Sequence, residues 1–218
     1  PISDEFYILI WESYTKPNGA QKNVSNFFDL LYNPKFAKFQ TLITDCIDDK
    51  TSRFIVIYLS LGTRINSDYH NQLLHANLIL IDKGINREKM TAMRIDPHDT
   101  TKDIFNPKDL DDELTKWLHN LDISFIKTTA IHTGIQSLEC QEREYSGNAQ
   151  IIPNNGLCLT HSLVLLYEFF RVYNQPEIQP YLGRRPHGNK VKPHELEGTE
   201  LFMTIFNNIY YSKFATPI

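Results

Sequence analysis

Ala76-Asn77-Leu78-Ile79-Leu80-Ile81-Asp82, then Lys83-Gly84-Ile85-Asn86, then Met90-Thr91-Ala92-Met93-Arg94-Ile95 closing at Asp96-Pro97, sets two apolar runs either side of a polar, glycine-bearing turn. Short runs rich in β-branched and large apolar residues read as strands, and the turn between them makes the pair an antiparallel hairpin. Pro97 ends it, because proline has no N–H for a further ladder bond. Upstream, Arg53 to Leu61 has the same character and stops at Gly62 before the polar stretch Thr63 to Gln72, which reads as a loop. Residues 5–12 are apolar and aromatic in the manner of a strand, and Ile123 to Ala130 returns to strand character.

Between these lie helical patterns. Asn23 to Phe39 carries apolar residues at near-helical spacing, with Ser25-Asn26 as a capping candidate. In Asp109 to Leu121, Leu110, Leu114, Trp117, Leu118 and Leu121 share one face, and Asp109, Asp111, Asp112 and Glu113 crowd the first turn, as the helix dipole prefers. Leu157 to Val172 is apolar nearly all round, the pattern of a helix buried on most faces. Glu139 to Asn155 is polar and loop-like, prolines 176, 180, 186 and 193 break up the next segment, and Glu195 to Tyr211 resumes a helical pattern. The order predicts an α+β fold: a mainly antiparallel central sheet packed by helices, with a buried central helix whose first residues include Cys158.

At 218 residues, 41% of them hydrophobic, the chain is long enough for one substantial core, so a single domain over 1–218 is expected. A formal charge of −4, from 22 basic and 26 acidic residues, gives no reason to expect a nucleic-acid or anionic-membrane partner, which leaves a protein partner as the default. The apolar runs Phe54 to Leu59 and Leu163 to Tyr167 are far shorter than the ~20 residues a spanning helix needs. The start, Pro1-Ile2-Ser3-Asp4-Glu5, has no basic segment leading into an apolar one, so secretion is not expected. Three cysteines, Cys46, Cys140 and Cys158, without a C-x-x-C pair fit neither a disulfide framework nor a structural zinc site. His70 and His75 lack a second pair at ligand spacing, so neither metal nor cofactor is expected, and a reducing compartment fits best.

Cys158 stands at the start of the predicted central helix, after Asn154-Asn155-Gly156-Leu157. Free N–H groups and the partial positive charge of a helix N-terminus favour thiolate over thiol. A buried, inert cysteine would occupy the same place, so position alone does not decide. A nucleophilic thiolate also needs a base and an acid that orients the base. His75 begins one hairpin strand and Asp96 ends the other, so an antiparallel register brings them to one edge of the sheet despite their separation in sequence.

Four blocks carry a family resemblance: Leu74-His75-Ala76-Asn77-Leu78-Ile79-Leu80-Ile81-Asp82; Arg94-Ile95-Asp96-Pro97-His98; Gly134-Ile135-Gln136-Ser137-Leu138-Glu139; and Gly156-Leu157-Cys158-Leu159-Thr160-His161-Ser162-Leu163. Between about Arg53 and Val172 the chain resembles the adenain-like and SUMO-protease-like cysteine peptidases, most of all the branch found in large DNA viruses and related elements. The resemblance implies His75 as base, Asp96 as orienting acid, Cys158 as nucleophile and Gln136 as oxyanion-hole donor beside the backbone N–H of Cys158, with Gln150 as the rival glutamine. Ile95, Ala76, Leu157 and His161 depart from the family pattern around these positions, which leaves the catalytic atoms in place but loosens any transfer of substrate preference. Residues 1–50 and 175–218 fall outside the resemblance.

The leading expectation is therefore a thiol peptidase that processes viral structural precursors after small residues, in the host cytoplasm or the virion, with a protein or polyprotein as substrate. Removal of ubiquitin-like modifiers is the alternative within the same fold, since both reactions pass through the same acyl-enzyme chemistry. An effector-type acetyltransferase is the third, weakened by a modest basic cluster of Arg184, Arg185, Lys190 and Lys192.

Overall fold

The computed structural model describes residues 9–15, 21–22, 34–64, 72–97, 107–127, 157–182 and 185–214. In chain order these form strand β1 (Leu9–Thr15), β2 (Gln21–Lys22), helix α1 (Pro34–Asp48), β3 (Phe54–Arg64), β4 (Gln72–Asp82), β5 (Met90–Ile95), α2 (Pro107–His119), β6 (Ile123–Ile126), α3 (Leu157–Tyr173), the two-residue strands β7 (Tyr181–Leu182) and β8 (Arg185–Pro186), a 3-10 turn (Pro193–Glu195), α4 (Gly198–Ile209) and a π turn (Tyr210–Phe214). Strands β1 to β6 make one sheet in the order β2-β1-β3-β4-β5-β6. Pairings β1–β2, β3–β4 and β4–β5 are antiparallel, whereas β1–β3 and β5–β6, each separated by a helix, are parallel. The architecture is α+β, with a mainly antiparallel sheet packed by helices, as the sequence predicts.

Alternation along the strands sorts the core onto two faces. Ile55, Ile57, Leu59, Ile79, Ile81 and Ala92 meet Phe39 and Ile43 of α1 and Leu110, Leu114, Trp117 and Leu118 of α2. On the opposite face Leu78, Leu80, Met93 and Ile95 meet Leu165, Phe169 and Val172 of α3 and Leu201, Phe202, Ile205, Phe206 and Ile209 of α4. Strand β4 is thus covered on both sides, which is why Leu78 to Ile81 is an unbroken apolar run instead of an alternating one.

The sequence places several boundaries elsewhere. Helix α1 begins at Pro34, a residue preformed for the first helical position, and continues to Asp48, beyond the expected end at Phe39; Ser25-Asn26 lie outside the described residues. Strand β3 continues through Gly62 to Arg64, and β4 opens at Gln72 inside the expected loop. The segment broken by prolines holds the β7–β8 pair. Helix α3 is not buried on most faces: Leu163, Val164 and Tyr167 are exposed, forming an outer row at helical spacing. Apolar composition specifies a buried side but cannot specify that all sides are buried.

One end of β4 is fixed by an ion-pair hub. Arg53 Nε and Nη2 donate to the two carboxylate oxygens of Asp82 at 2.7 and 3.0 Å, the fork geometry that suits arginine. Nη1 donates to Tyr173 Oη and to the His194 carbonyl, and Nη2 also donates to the Leu196 carbonyl. Burial opposes the charge on Arg53, but the Asp82 carboxylate outweighs it and holds the guanidinium above its ordinary pKa. Asp82 further accepts the N–H groups of Gly84 and Gly198 at 3.0 and 3.1 Å. Gly198 has a φ of 59°, and a Cβ there would come within 3.1 Å of Thr91 Oγ1, so glycine is required for α4 to start where it does. Replacing Asp82 by Ala strands a partly buried guanidinium and two N–H donors, and should cost about 3–5 kcal/mol. Urea unfolding of Asp82→Ala, with Arg53→Lys as a milder control that keeps the charge, measures it; a loss below 1 kcal/mol would show that the hub is dispensable.

Candidate active site

Midway along β4, where its ladder with β5 stops, lies a second buried polar cluster. Arg94 occupies an otherwise apolar strand and is 1% exposed, a position that a guanidinium tolerates only with partners. Its Nη1 donates to Asn77 Oδ1 at 2.6 Å and to Asp96 Oδ2 at 2.9 Å, and its Nε donates to Asp111 Oδ1 on α2 at 3.0 Å. Asp96, expected at the end of the hairpin, is therefore not a solvated turn residue: it is 4% exposed and held in a charge-assisted network.

His75 stands two residues before Asn77 on β4, opposite Leu61 of β3. The β4–β5 ladder runs from Asp82↔Thr91 to Leu78↔Ile95, so continuing it by one step sets Asp96 opposite Asn77. His75 then lies diagonal to Asp96 in the parity row of Asn77 and Ile79, past the last ladder pair with β5. The backbone register therefore sets His75 and Asp96 diagonally on adjacent strands. The side chains of His75 and Cys158 fall outside those described, as do residues Gln136 and Gln150 altogether, so a bond from His75 to Asp96 or to the thiol is not part of the described geometry.

Cys158 is the second residue of α3. It falls on the helical row that continues through Ser162, Leu165, Phe169 and Val172, the row packed onto the sheet. Helix α3 covers the face of the sheet opposite to the Arg94 cluster. The direction of α3 bears on how they relate. Its last residue, Tyr173, is bonded to Arg53 beside Asp82, at the far end of β4. From that shared end, Cys158 is about 22 Å back along the helix at 1.5 Å per residue, and His75 is about 23 Å back along the strand at 3.3 Å per residue. The two lengths match, and that length of strand reaches the stretch of β4 beyond its last pair with β5.

The sequence reading missed Asn77, Arg94 and Asp111 as site residues. A usable signal existed, since a lone arginine inside an apolar strand demands acidic partners, but which acid answers it depends on how α2 docks. Ser162, one turn after Cys158, is fully buried and its Oγ has no hydrogen-bond partner among the described residues.

No family model and no curated protein matches the chain. Among solved structures, three crystal structures of the Legionella pneumophila effector protein RavZ resemble it in part. One matches at 15% identity over 57% of this chain and 34% of its own, with a TM-score of 0.30. A second matches at 14% identity over 67% and 43%, with a TM-score of 0.29. The third matches at 13% identity over 74% and 48%, with a TM-score of 0.28. The chain thus spans less than half the length of the RavZ chains it matches. A partial likeness of this size leaves the site to be argued from its own residues.

Limiting alkylation of the folded protein should label Cys158 at least tenfold faster than Cys46, which is half-buried against the α1 core, and faster than Cys140. Mass spectrometry of the digest reads the ratio. Equal labelling of all three would count against an activated thiol at the start of α3.

Proposed function

We propose that this chain is a cysteine peptidase in which Cys158 attacks the scissile carbonyl, His75 takes and returns the proton, and Asp96 orients the imidazole. Supporting this reading most directly is the buried Asp96 carboxylate, one step past the last β4–β5 pair and diagonal to His75 on the adjacent strand, together with the place of Cys158 in the first turn of α3. The first turn of α3 favours the thiolate, and the backbone N–H of Cys158 is available at a helix N-terminus for the developing oxyanion. Gln136 is assigned as the second donor on the family resemblance. The described residues contain no cluster of three or more metal-ligating side chains, and the proposed route runs through the thiol alone.

Cys158→Ala should abolish turnover without unfolding the chain, while Cys46→Ser and Cys140→Ser stay active. Asp96→Asn should reduce kcat less than His75→Ala, because the first disturbs the base and the second removes it. Wild-type turnover by a Cys158 variant would overturn the assignment.

For the substrate, we carry forward a protein precursor cut after a small residue, with an isopeptide bond to a ubiquitin-like modifier as the alternative. The two differ in where binding energy comes from. A modifier-removing enzyme draws it from a folded globular partner, so the isolated tail peptide loses rate as well as affinity. Comparing kcat/KM for a ubiquitin-like fusion and for its C-terminal peptide separates them. Near-equal values support precursor processing, whereas a preference for the fusion of ~10³ or more, about 4 kcal/mol of transition-state binding, establishes the alternative.

A further inference from the structure

We infer that Arg94 is a positioning residue for this reaction, which extends the catalytic frame from Asp96 through Arg94 to Asp111 on α2; the inference rests on the triad proposed above. The contacts define a chain of control. Arg94 Nη1 binds one oxygen of Asp96, and the same nitrogen binds Asn77 Oδ1, which lies two residues from His75 on β4. The guanidinium therefore ties the orienting acid to the strand that carries the base. Its Nε is in turn held by Asp111, so the rotation of the guanidinium plane is set by α2 and not by the hairpin alone. All four residues are at most 4% exposed, which leaves little room for another rotamer or for water to replace a lost bond.

Lysine at this position keeps the charge but not the planar fork, and its single ammonium cannot reproduce three donor directions. An acid mispositioned by a fraction of an ångström passes that error to the imidazole it orients, and errors of about 1 Å at a reacting group can cost 10²-fold. A residue that only stabilises the fold acts otherwise: it lowers the fraction folded and leaves the kcat of folded molecules unchanged.

The test is a double-mutant cycle of Arg94→Lys and Asp96→Asn on one peptide substrate, at a temperature where circular dichroism shows every variant fully folded. Arg94→Lys should lower kcat about 10–100-fold with KM within about twofold. In the Asp96→Asn background it should change kcat less than threefold, because the group through which it acts is already lost. If Arg94→Lys does not fold, Asp111→Asn takes its place in the same cycle, with a smaller loss and the same non-additivity expected. Unchanged kcat, or losses that multiply in the double variant, overturns the positioning role. A Cys158→Ser variant run alongside keeps the two readings apart: if it retains wild-type turnover, the peptidase assignment fails and this inference with it, whereas an inactive Cys158→Ser with an additive cycle overturns the role of Arg94 alone.

Discussion

Burial of β4 on both faces is the constraint from which the rest of the architecture follows. Leu78, Ile79, Leu80 and Ile81 are at most 2% exposed, with α3 and α4 on one side and α1 and α2 on the other. A strand in that position cannot carry polar side chains in its middle without partners. Polar groups therefore flank that run: Asp82 and Lys83 follow it, and His75 and Asn77 precede it, where the pairing with β5 stops.

The two ends solve the same electrostatic problem with different consequences. At the Asp82 end the charges balance, one guanidinium against one carboxylate, and the remaining lone pairs accept backbone N–H groups. Lys83, pushed down in pKa by burial and then by Arg87, donates to the carbonyls of Cys46 and Asp49 and so closes the C-terminal end of α1. Most contacts there join one structural element to another. At the Asn77 end one guanidinium bonds two carboxylates, Asp96 and Asp111, and the amide oxygen of Asn77. Apolar residues of equal volume often stabilise a core as well as a buried ion pair does, so such a cluster is weak evidence that stability is its purpose.

Most of the fold is legible in the sequence because its signals are local. The β4–β5 hairpin follows from two apolar runs and a glycine-bearing turn, and β5 ends at Ile95 as expected. Helix α3 starts at Leu157, directly after the sequence Asn154-Asn155-Gly156. What the sequence does not specify is set by docking. The outer row Leu163, Val164 and Tyr167 is as apolar as the inner row Leu165, Phe169 and Val172, so pattern alone cannot say which is covered. The start of α1 turns on Pro34, and Asn23 to Phe39 carries helical spacing whose boundary no periodicity fixes. For the proposed site, residue type, position on an element and the family resemblance together select His75, Asp96 and Cys158. Arg94 and Asp111 do not, because their roles exist only once α2 lies against β5 and brings an acid seventeen residues away to the arginine.

The arginine-centred cluster also bears on the proposed chemistry. A buried carboxylate stabilises a cation placed beside it, and in low-dielectric surroundings that interaction is far stronger than in water. On the proposed assignment the neighbouring group is His75, which must be an imidazolium both when it faces the Cys158 thiolate and when it returns a proton to the leaving amine. On that assignment the acid must keep one orientation: Arg94 Nη1 holds Asp96, and Asp111 on α2 holds Arg94 through Nε, so the angle of the acid answers to the docking of α2 as well as to the hairpin.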